Sequence, residues 1–246
     1  MFGITLDNID APMAPLKAAI RALPFRPMAR VVVDNGRDLD DYNAPVRELR
    51  QVADIMLLVQ DSYGEHTLST AQYVAKCQYL MGMLGQVVNL WEIGNEVNGS
   101  WVSKDIWRKV TACQALAKTR GFQTAVTFWW DKALWNWLID KPRLGIDWAM
   151  LSCYPTRPSE LSTMVAALDT GVPQKQILAA TGAKDWAIGE YGEDEWARAG
   201  ASARKLLVRS FEKYRYGGFY WGFQKQCVPK HKVLHGAVSA AWRDRR

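Results

Sequence analysis

The strongest constraint in this chain is an alternation. Short apolar, β-branched runs take turns with longer stretches of helical pattern. The runs are Phe2–Asp7, Arg30–Asp34, Ile55–Asp61, Val87–Ile93, Gln123–Trp129, Asp147–Tyr154, Trp186–Glu190 and Gly218–Phe223. Their mean spacing is roughly 30 residues, the size of one βα unit. Helices are expected over Leu16–Leu23, Ala44–Ala53, Thr70–Leu84, Lys104–Arg120, Lys132–Ile139, Glu160–Thr170, Ala199–Tyr214 and His235–Arg243. Ser69 and Ser103 stand where N-caps are needed, and Gly85, Gly121 and Gly171 where helices stop. The runs are almost continuously apolar, as in a parallel sheet covered on both faces. Eight such units in 246 residues predict a single, minimal α/β (β/α)8 TIM barrel spanning 1–246. The alternative is an open, doubly wound sheet, which usually carries a glycine-rich first turn. Here that turn reads Asp7-Asn8-Ile9-Asp10-Ala11-Pro12, without phosphate-binding glycines.

Composition removes several function classes. No window holds the ~18 uncharged apolar residues of a membrane helix. The first seven residues show no basic segment followed by a long apolar run, so a signal peptide is absent or already removed. The expected compartment is secreted or periplasmic if one was removed, and cytoplasmic otherwise. Cys77, Cys113, Cys153 and Cys227 have no metal spacing and read as buried free thiols. No metal and no cofactor is expected. The net charge of +6 raises the question of nucleic acid, but the basic residues form no continuous stripe. They concentrate in the tail and in Lys225, Lys230, His231 and Lys232 after the eighth run. That segment reads either as a solvated loop or as recognition of an acidic or sulfated glycan.

In a barrel, chemistry gathers at the C-terminal strand ends. Those ends carry Asp7, Asp34, Asp61, Asn95-Glu96, Trp129-Trp130-Asp131, Tyr154, Glu190 and Trp221. This rim is rich in carboxylates and indoles and nearly free of His and Cys. Sugars suit such a rim, because their C–H faces stack on indoles while their hydroxyls seek carboxylates and amides. The expected partner is therefore a polysaccharide or oligosaccharide, bound by a monomer. Strands 4 and 7 lie roughly opposite in an eight-strand ring, so Glu96 and Glu190 would face each other across the mouth.

Two segments carry the most specific signal: Leu90-Trp91-Glu92-Ile93-Gly94-Asn95-Glu96-Val97-Asn98 and Trp186-Ala187-Ile188-Gly189-Glu190-Tyr191-Gly192. Together they resemble the clan A, or 4/7, retaining glycoside hydrolases, with wording most like family 39 and similar stretches in families 79 and 5. The resemblance implies a retaining endo-β-glycosidase acting by double displacement. Glu96 would be the acid/base and Glu190 the nucleophile. Asn95 would bind the sugar 2-hydroxyl, Tyr154 would donate to Glu190, and Trp221 would floor the cleaved-sugar subsite. Many clan members place an Arg at the end of strand 2. Here that end reads Val31-Val32-Val33-Asp34-Asn35-Gly36, the nearest Arg beyond is Arg37, and the nucleophile's usual support has no evident donor. Asp34 would serve another sugar position. The chain also has no room for the β-sandwich that families 39 and 79 carry. Short strand-end loops imply an open cleft. A transglycosylase on the same site, a non-catalytic glycan-binding barrel, and a metal hydrolase using Asp7, Asp34 and Asp61 are the other readings.

Each candidate also has a plainer role. Glu92 reads as a barrel-interior carboxylate paired with Arg30. Trp91 and Trp148 are expected between strands and helices, and Trp107, Trp135, Trp137 and Trp242 in the core. Trp101, Trp129 and Trp130 are candidates for touching glycan. Asp7, Asp61 and Asp131 are equally candidates for capping the helices that follow them.

Overall fold

The computed structural model describes residues 2–131, 133–155, 158–191, 218–221, 223–228 and 232–243. Eight strands close into a parallel barrel in chain order: β1 (Gly3–Leu6), β2 (Met28–Val32), β3 (Asp54–Leu58), β4 (Leu90–Glu92), β5 (Thr124–Trp129), β6 (Trp148–Cys153), β7 (Asp185–Tyr191) and β8 (Gly218–Tyr220). β8 returns to pair with β1, which leaves no open edge. The protein is a (β/α)8 TIM barrel. All eight expected strands are present, but most are shorter than the apolar runs that announced them. The fourth run begins early because Val87 and Val88 donate back to the Leu84 carbonyl and finish a helical turn instead.

The helices are α1 (Met13–Arg21), α2 (Asn43–Leu49), α3 (Ser62–Glu65), α4 (Thr70–Leu84), α5 (Ile106–Thr119), α6 (Leu134–Leu138), α7 (Pro158–Asp169), α8 (Val172–Thr181), α9 (Phe223–Gln226) and α10 (Lys232–Arg243). The expected helix over Ala199–Tyr214 lies outside the described residues. α8 was not expected, because Gly171 followed by Pro173 reads as a stop. Gly171, at φ 69°, does end α7, but it also opens α8. Proline is tolerated in a first helical turn, where its missing N–H has no intrahelical partner to lose.

Two hydrophobic layers result from the alternation of side chains along each strand. Met56, Leu90, Ala125, Met150, Ala187 and Phe219 form one buried cluster of strand residues, the plug of the barrel. Trp148 packs against this cluster and not, as expected, between strands and helices. The larger cluster, with Ile4, Val31, Ile55, Trp91, Val126, Leu151 and Ile188, lies between strands and helices. Trp91 is fully buried there, its ring 5.7 Å from Phe122, and Trp107 and Trp242 are buried in the same layer. All four cysteines are buried free thiols.

α4 shows how closely local sequence sets an element. Ser69 accepts from the Gln72 N–H at 3.3 Å, and the Gln72 side chain accepts from the Ser69 N–H at 2.9 Å. This reciprocal box satisfies two otherwise orphaned donors. Ser69→Ala is expected to lower unfolding stability by about 1 kcal/mol, read from the urea midpoint, with the circular dichroism spectrum retained.

Candidate active site

The polar layer lies directly above the apolar plug. Arg30 on β2 shares the inward face with Met28, Val32 and Asp34, and it is fully buried. An unpaired guanidinium there would be very costly, so its donors must be satisfied. Arg30 grips Glu92 on β4 with two bonds, from Nε at 2.5 Å and Nη2 at 2.9 Å. Its Nη2 also donates to the Asn95 amide oxygen at 3.1 Å, and Nη1 lies 2.9 Å from Glu190. The Thr127 hydroxyl donates to Glu92 at 2.5 Å from the next strand. One cation therefore ties β2, β4 and β7 together. The Glu92–Arg30 pair was expected. The support for Glu190 that seemed missing at the end of strand 2 comes from Arg30, deeper in the same strand. Arg37, the alternative donor, is engaged with Asp10 at 2.5 Å and lies 3.8 Å from Asp34.

Both candidate carboxylates sit at breaks in the ladder. On β7, Leu151 pairs with Ile188 but Ser152 pairs with Glu190, so Gly189 is skipped. Ala187 faces the plug, and strict alternation would send Gly189 inward and Glu190 out toward the helices. The bulge reverses this and turns Glu190 into the barrel. At Gly189 a Cβ would come within 2.7–3.0 Å of Met150 and Thr127, so only glycine lies flat at that bulge. At the end of β4, the Thr127 N–H donates to Gly94 O at 2.9 Å and its carbonyl accepts from Val97 N at 3.2 Å. In an unbroken parallel ladder those two partners are two residues apart, whereas Gly94 and Val97 are three apart. Asn95 and Glu96 occupy the bulged turn. Glu96 has φ 48°, the only positive value at a non-glycine among the described residues. Side chains rarely adopt that conformation, and it is held here by the surrounding ladder.

Glu96 and Glu190 open on one cavity of about 520 Å³, a volume within the usual range for ligand clefts. Its lining also includes Asp7, Asp34, Asn35, Asp61, Asn95, Trp101, Trp129, Tyr154 and Trp221. Of the residues selected from sequence, Trp130 alone stands apart. It packs against the hydrophobic core, because neighbours on a strand end point to opposite faces and Trp129 takes the inward one. The aromatic rings form a continuous arc. Trp101 meets Trp129 edge-on at 5.5 Å, Trp129 stacks on Tyr154 at 5.7 Å and 15°, and Tyr154 meets Trp221 edge-on at 6.3 Å. Asp7, Asp34 and Asp61 lie on the β1–β3 side. Asp61 also caps α3, accepting from the Tyr63 N–H at 3.2 Å, and Asp131 accepts from Ala133 at 2.7 Å. Among the described residues, no three His, Cys, Asp or Glu side chains are grouped as a metal ion requires. Lys230 and His231 lie outside the described residues.

Sequence reasoning missed Ser62, whose hydroxyl donates to Glu96 at 3.2 Å. It also missed Asn98, which clamps Trp129 through its backbone N–H at 2.7 Å and carbonyl at 2.9 Å. An Asn two residues after an Asn-Glu pair is a visible but unspecific signal.

Burial dominates the electrostatics. It pushes the Glu96 carboxyl up to about 7, with the Ser152 hydroxyl, Arg30 and the Ser62 hydroxyl pulling the other way. It pushes Glu190 up to about 8, opposed by Arg30 and by the Tyr154 hydroxyl, while the charges of Glu96 and Glu92 add to the rise. Burial also lifts the Tyr154 hydroxyl well above its usual range, so it remains a donor to Glu190.

In overall shape the chain is similar to several solved barrels at very low sequence identity. A β-glycosidase aligns with a TM-score of 0.59 and 9% identity, covering 100% of this chain and 97% of its own. A β-glucosidase from Thermotoga maritima gives 0.65 and 11%, covering 95% and 86%. Endo-glycoceramidase II from a Rhodococcus species gives 0.65 and 12%, covering 97% and 78%. The sequence matches no protein-family profile and no curated protein.

The raised carboxyls make a stability prediction. Folded Glu96 and Glu190 keep their protons to higher pH than the ordinary value of 4.5. Between that value and about 7 the folded chain binds more protons than the unfolded one, so stability falls as pH rises. Glu96→Gln is expected to make that decline shallower. Urea unfolding across about pH 5 to pH 8 reads the slope, and an unaltered slope in the variant would count against the assignment.

Proposed function

We propose that the protein is a retaining glycoside hydrolase that cleaves a β-linked polysaccharide or oligosaccharide internally, with Glu190 as nucleophile and Glu96 as acid/base. The observation that carries this reading is the unequal support of two buried carboxyls in one aromatic-lined cavity. Glu190 has a guanidinium 2.9 Å away and a phenol hydroxyl donating to it. Glu96 meets a neutral serine hydroxyl at 3.2 Å. Burial and the neighbouring carboxylates lift Glu190 further than Glu96, but Glu190 alone has both a cation and a phenol hydroxyl aimed at it, so in this reading the anion settles on Glu190 and the proton on Glu96 once a sugar fills the site. That is the division of labour that double displacement requires.

The steps follow from it. Glu190 attacks the anomeric carbon while Glu96 gives its proton to the departing glycosidic oxygen. A glycosyl ester forms on Glu190 and the aglycone leaves as an alcohol. Esterification removes the negative charge from Glu190, so Glu96, now ionised, no longer faces an anion across the cavity. It takes a proton from water, and the resulting nucleophile opens the ester and regenerates Glu190 as a carboxylate. In this reading Asn95, held by Arg30 on its oxygen side and 3.3 Å from Asp61 on its amide side, meets the sugar 2-hydroxyl. Trp221, Tyr154 and Trp129 offer ring faces to the sugar bound beside Glu190, with Asp7 and Asp34 for its hydroxyls. The glycosidases among the similar barrels support the same chemistry.

Reducing-end release from a panel of glucan, mannan, xylan and uronic-acid polymers is expected to reveal the substrate. On it, Glu190→Gln should be inactive. A 2-deoxy-2-fluoro glycoside of the selected sugar should label Glu190, identified by mass spectrometry of the peptide. Glu96→Gln should lose about 10²–10⁴-fold on natural linkages and far less on dinitrophenyl glycosides, whose leaving groups need no proton. Full activity of Glu190→Gln, or inverted product by NMR, would overturn the mechanism.

A further inference from the structure

We propose that Tyr63 and Trp101 form a subsite for a sugar ring on the leaving-group side of the scissile bond, held in place by the buried Lys109–Glu65 ion pair. This rests on the acid role of Glu96 proposed above.

Four large apolar side chains are exposed among the described residues, and Tyr63, at 70%, is the one that lines the cavity. Its ring stacks on Trp101, with centroids 5.9 Å apart and planes within 14°. Trp101 in turn lies on bare backbone. A Cβ on Gly99 would come within 2.6 Å of the indole, so the glycine is what lets the ring lie there. The result is a flat apolar surface with its outer face in solvent, the shape that a pyranose C–H face covers.

Its position gives it a side. Tyr63 follows Ser62, the residue that touches Glu96, within the short turn of α3. A general acid stands beside the departing oxygen, so whatever lies beyond it on its own side meets the leaving group. Tyr154 and Trp221 adjoin Glu190 at the other end of the arc. The arc thus divides at the scissile bond.

The platform is also firmly held. The loop after β3 carries Tyr63 and the loop after β4 carries Trp101. Glu65, in α3, accepts from the Ser103 N–H and hydroxyl, both at 2.8 Å, and from Lys109 Nζ. Lys109 also donates to Ser103 at 3.0 Å, and both charged side chains are almost completely buried. A buried ion pair is a weak source of net stability, since desolvation offsets the attraction. This one joins the two loops whose rings make the platform.

The test compares two substrates of the sugar selected by the polymer panel. One is a linear tetrasaccharide, and the other is the glycosyl fluoride, which has no ring on the leaving side. Tyr63→Ala and Gly99→Ala are expected to lower kcat/KM on the tetrasaccharide, mainly through KM, by about tenfold more than on the fluoride. Lys109→Met should show the same bias if its near-ultraviolet spectrum shows a folded chain. Equal losses on both substrates would make these residues merely structural and overturn the proposal, as would no loss on either. A loss seen with octyl glycoside but not with the tetrasaccharide would assign the surface to an apolar aglycone instead. If the wild-type chain turns over neither substrate, the hydrolase reading fails separately. Calorimetric titration with cellohexaose, mannohexaose and xylohexaose then decides. A roughly tenfold weaker affinity in Tyr63→Ala keeps the platform as a sugar surface, and unaltered affinity removes it.

Discussion

The buried guanidinium of Arg30 is the interaction on which the rest of the site depends. Low-dielectric surroundings make every unsatisfied donor on it expensive, so the fold must deliver acceptors from several directions. Glu92 provides two of them, Asn95 another and Glu190 the last. Because the cation stands on β2 and its acceptors come from β4 and β7, the pairing also fixes how those three strands stand relative to one another. Arg30 and Glu92 alone would be a neutral pair. Glu190 makes the cluster one charge too negative, and that excess is part of why its carboxyl resists ionisation. The same cation that holds the nucleophile candidate is shared with a competitor, so its hold is partial.

Above this layer the cavity separates two chemistries. Carboxylates and amides from the β1–β3 ends stand on one side, and an unbroken succession of rings from Tyr63 to Trp221 on the other. The rings come from five different segments, yet each touches the next, so none needs to be positioned by its own loop alone. Asn98 adds to this by bonding both backbone groups of Trp129 and fastening the end of β5 to the loop after β4. A surface of rings built this way supports itself across the strand ends.

The barrel was legible because its signal is periodic. Apolar runs and helical stretches recur often enough that errors at individual ends do not disturb the count. The boundaries were less legible where one residue type serves two purposes, as with Val87 in a helical turn and Gly171 between two helices. The candidate carboxylates were also visible, through short segments with strong residue preferences. What supports them was not. Arg30 lies inside a strand, and nothing local distinguishes an arginine that reaches three acceptors from one that snorkels to solvent. Ser62 and Lys109 are ordinary residues in ordinary helical surroundings, and their importance arises only when two loops meet. Trp130 is hard to read from sequence for a related reason. Both indoles stand at the end of β5, and parity along the strand decides which of the two faces the cavity.

The bulge at Gly189 has a consequence for how such a site can be lost. Strand parity works like a count, and the extra residue changes the count by one just before Glu190. Straightening the bulge with Gly189 kept in the ladder would leave every cavity side chain in the sequence and still rotate Glu190 toward the helices, with Gly189 facing the cavity in its stead. The carboxyl's address is thus written in the spacing of the backbone as much as in its own identity. At the last turns of β4 and β7 it is the register, with its two bulges, that aims both carboxyls at one cavity.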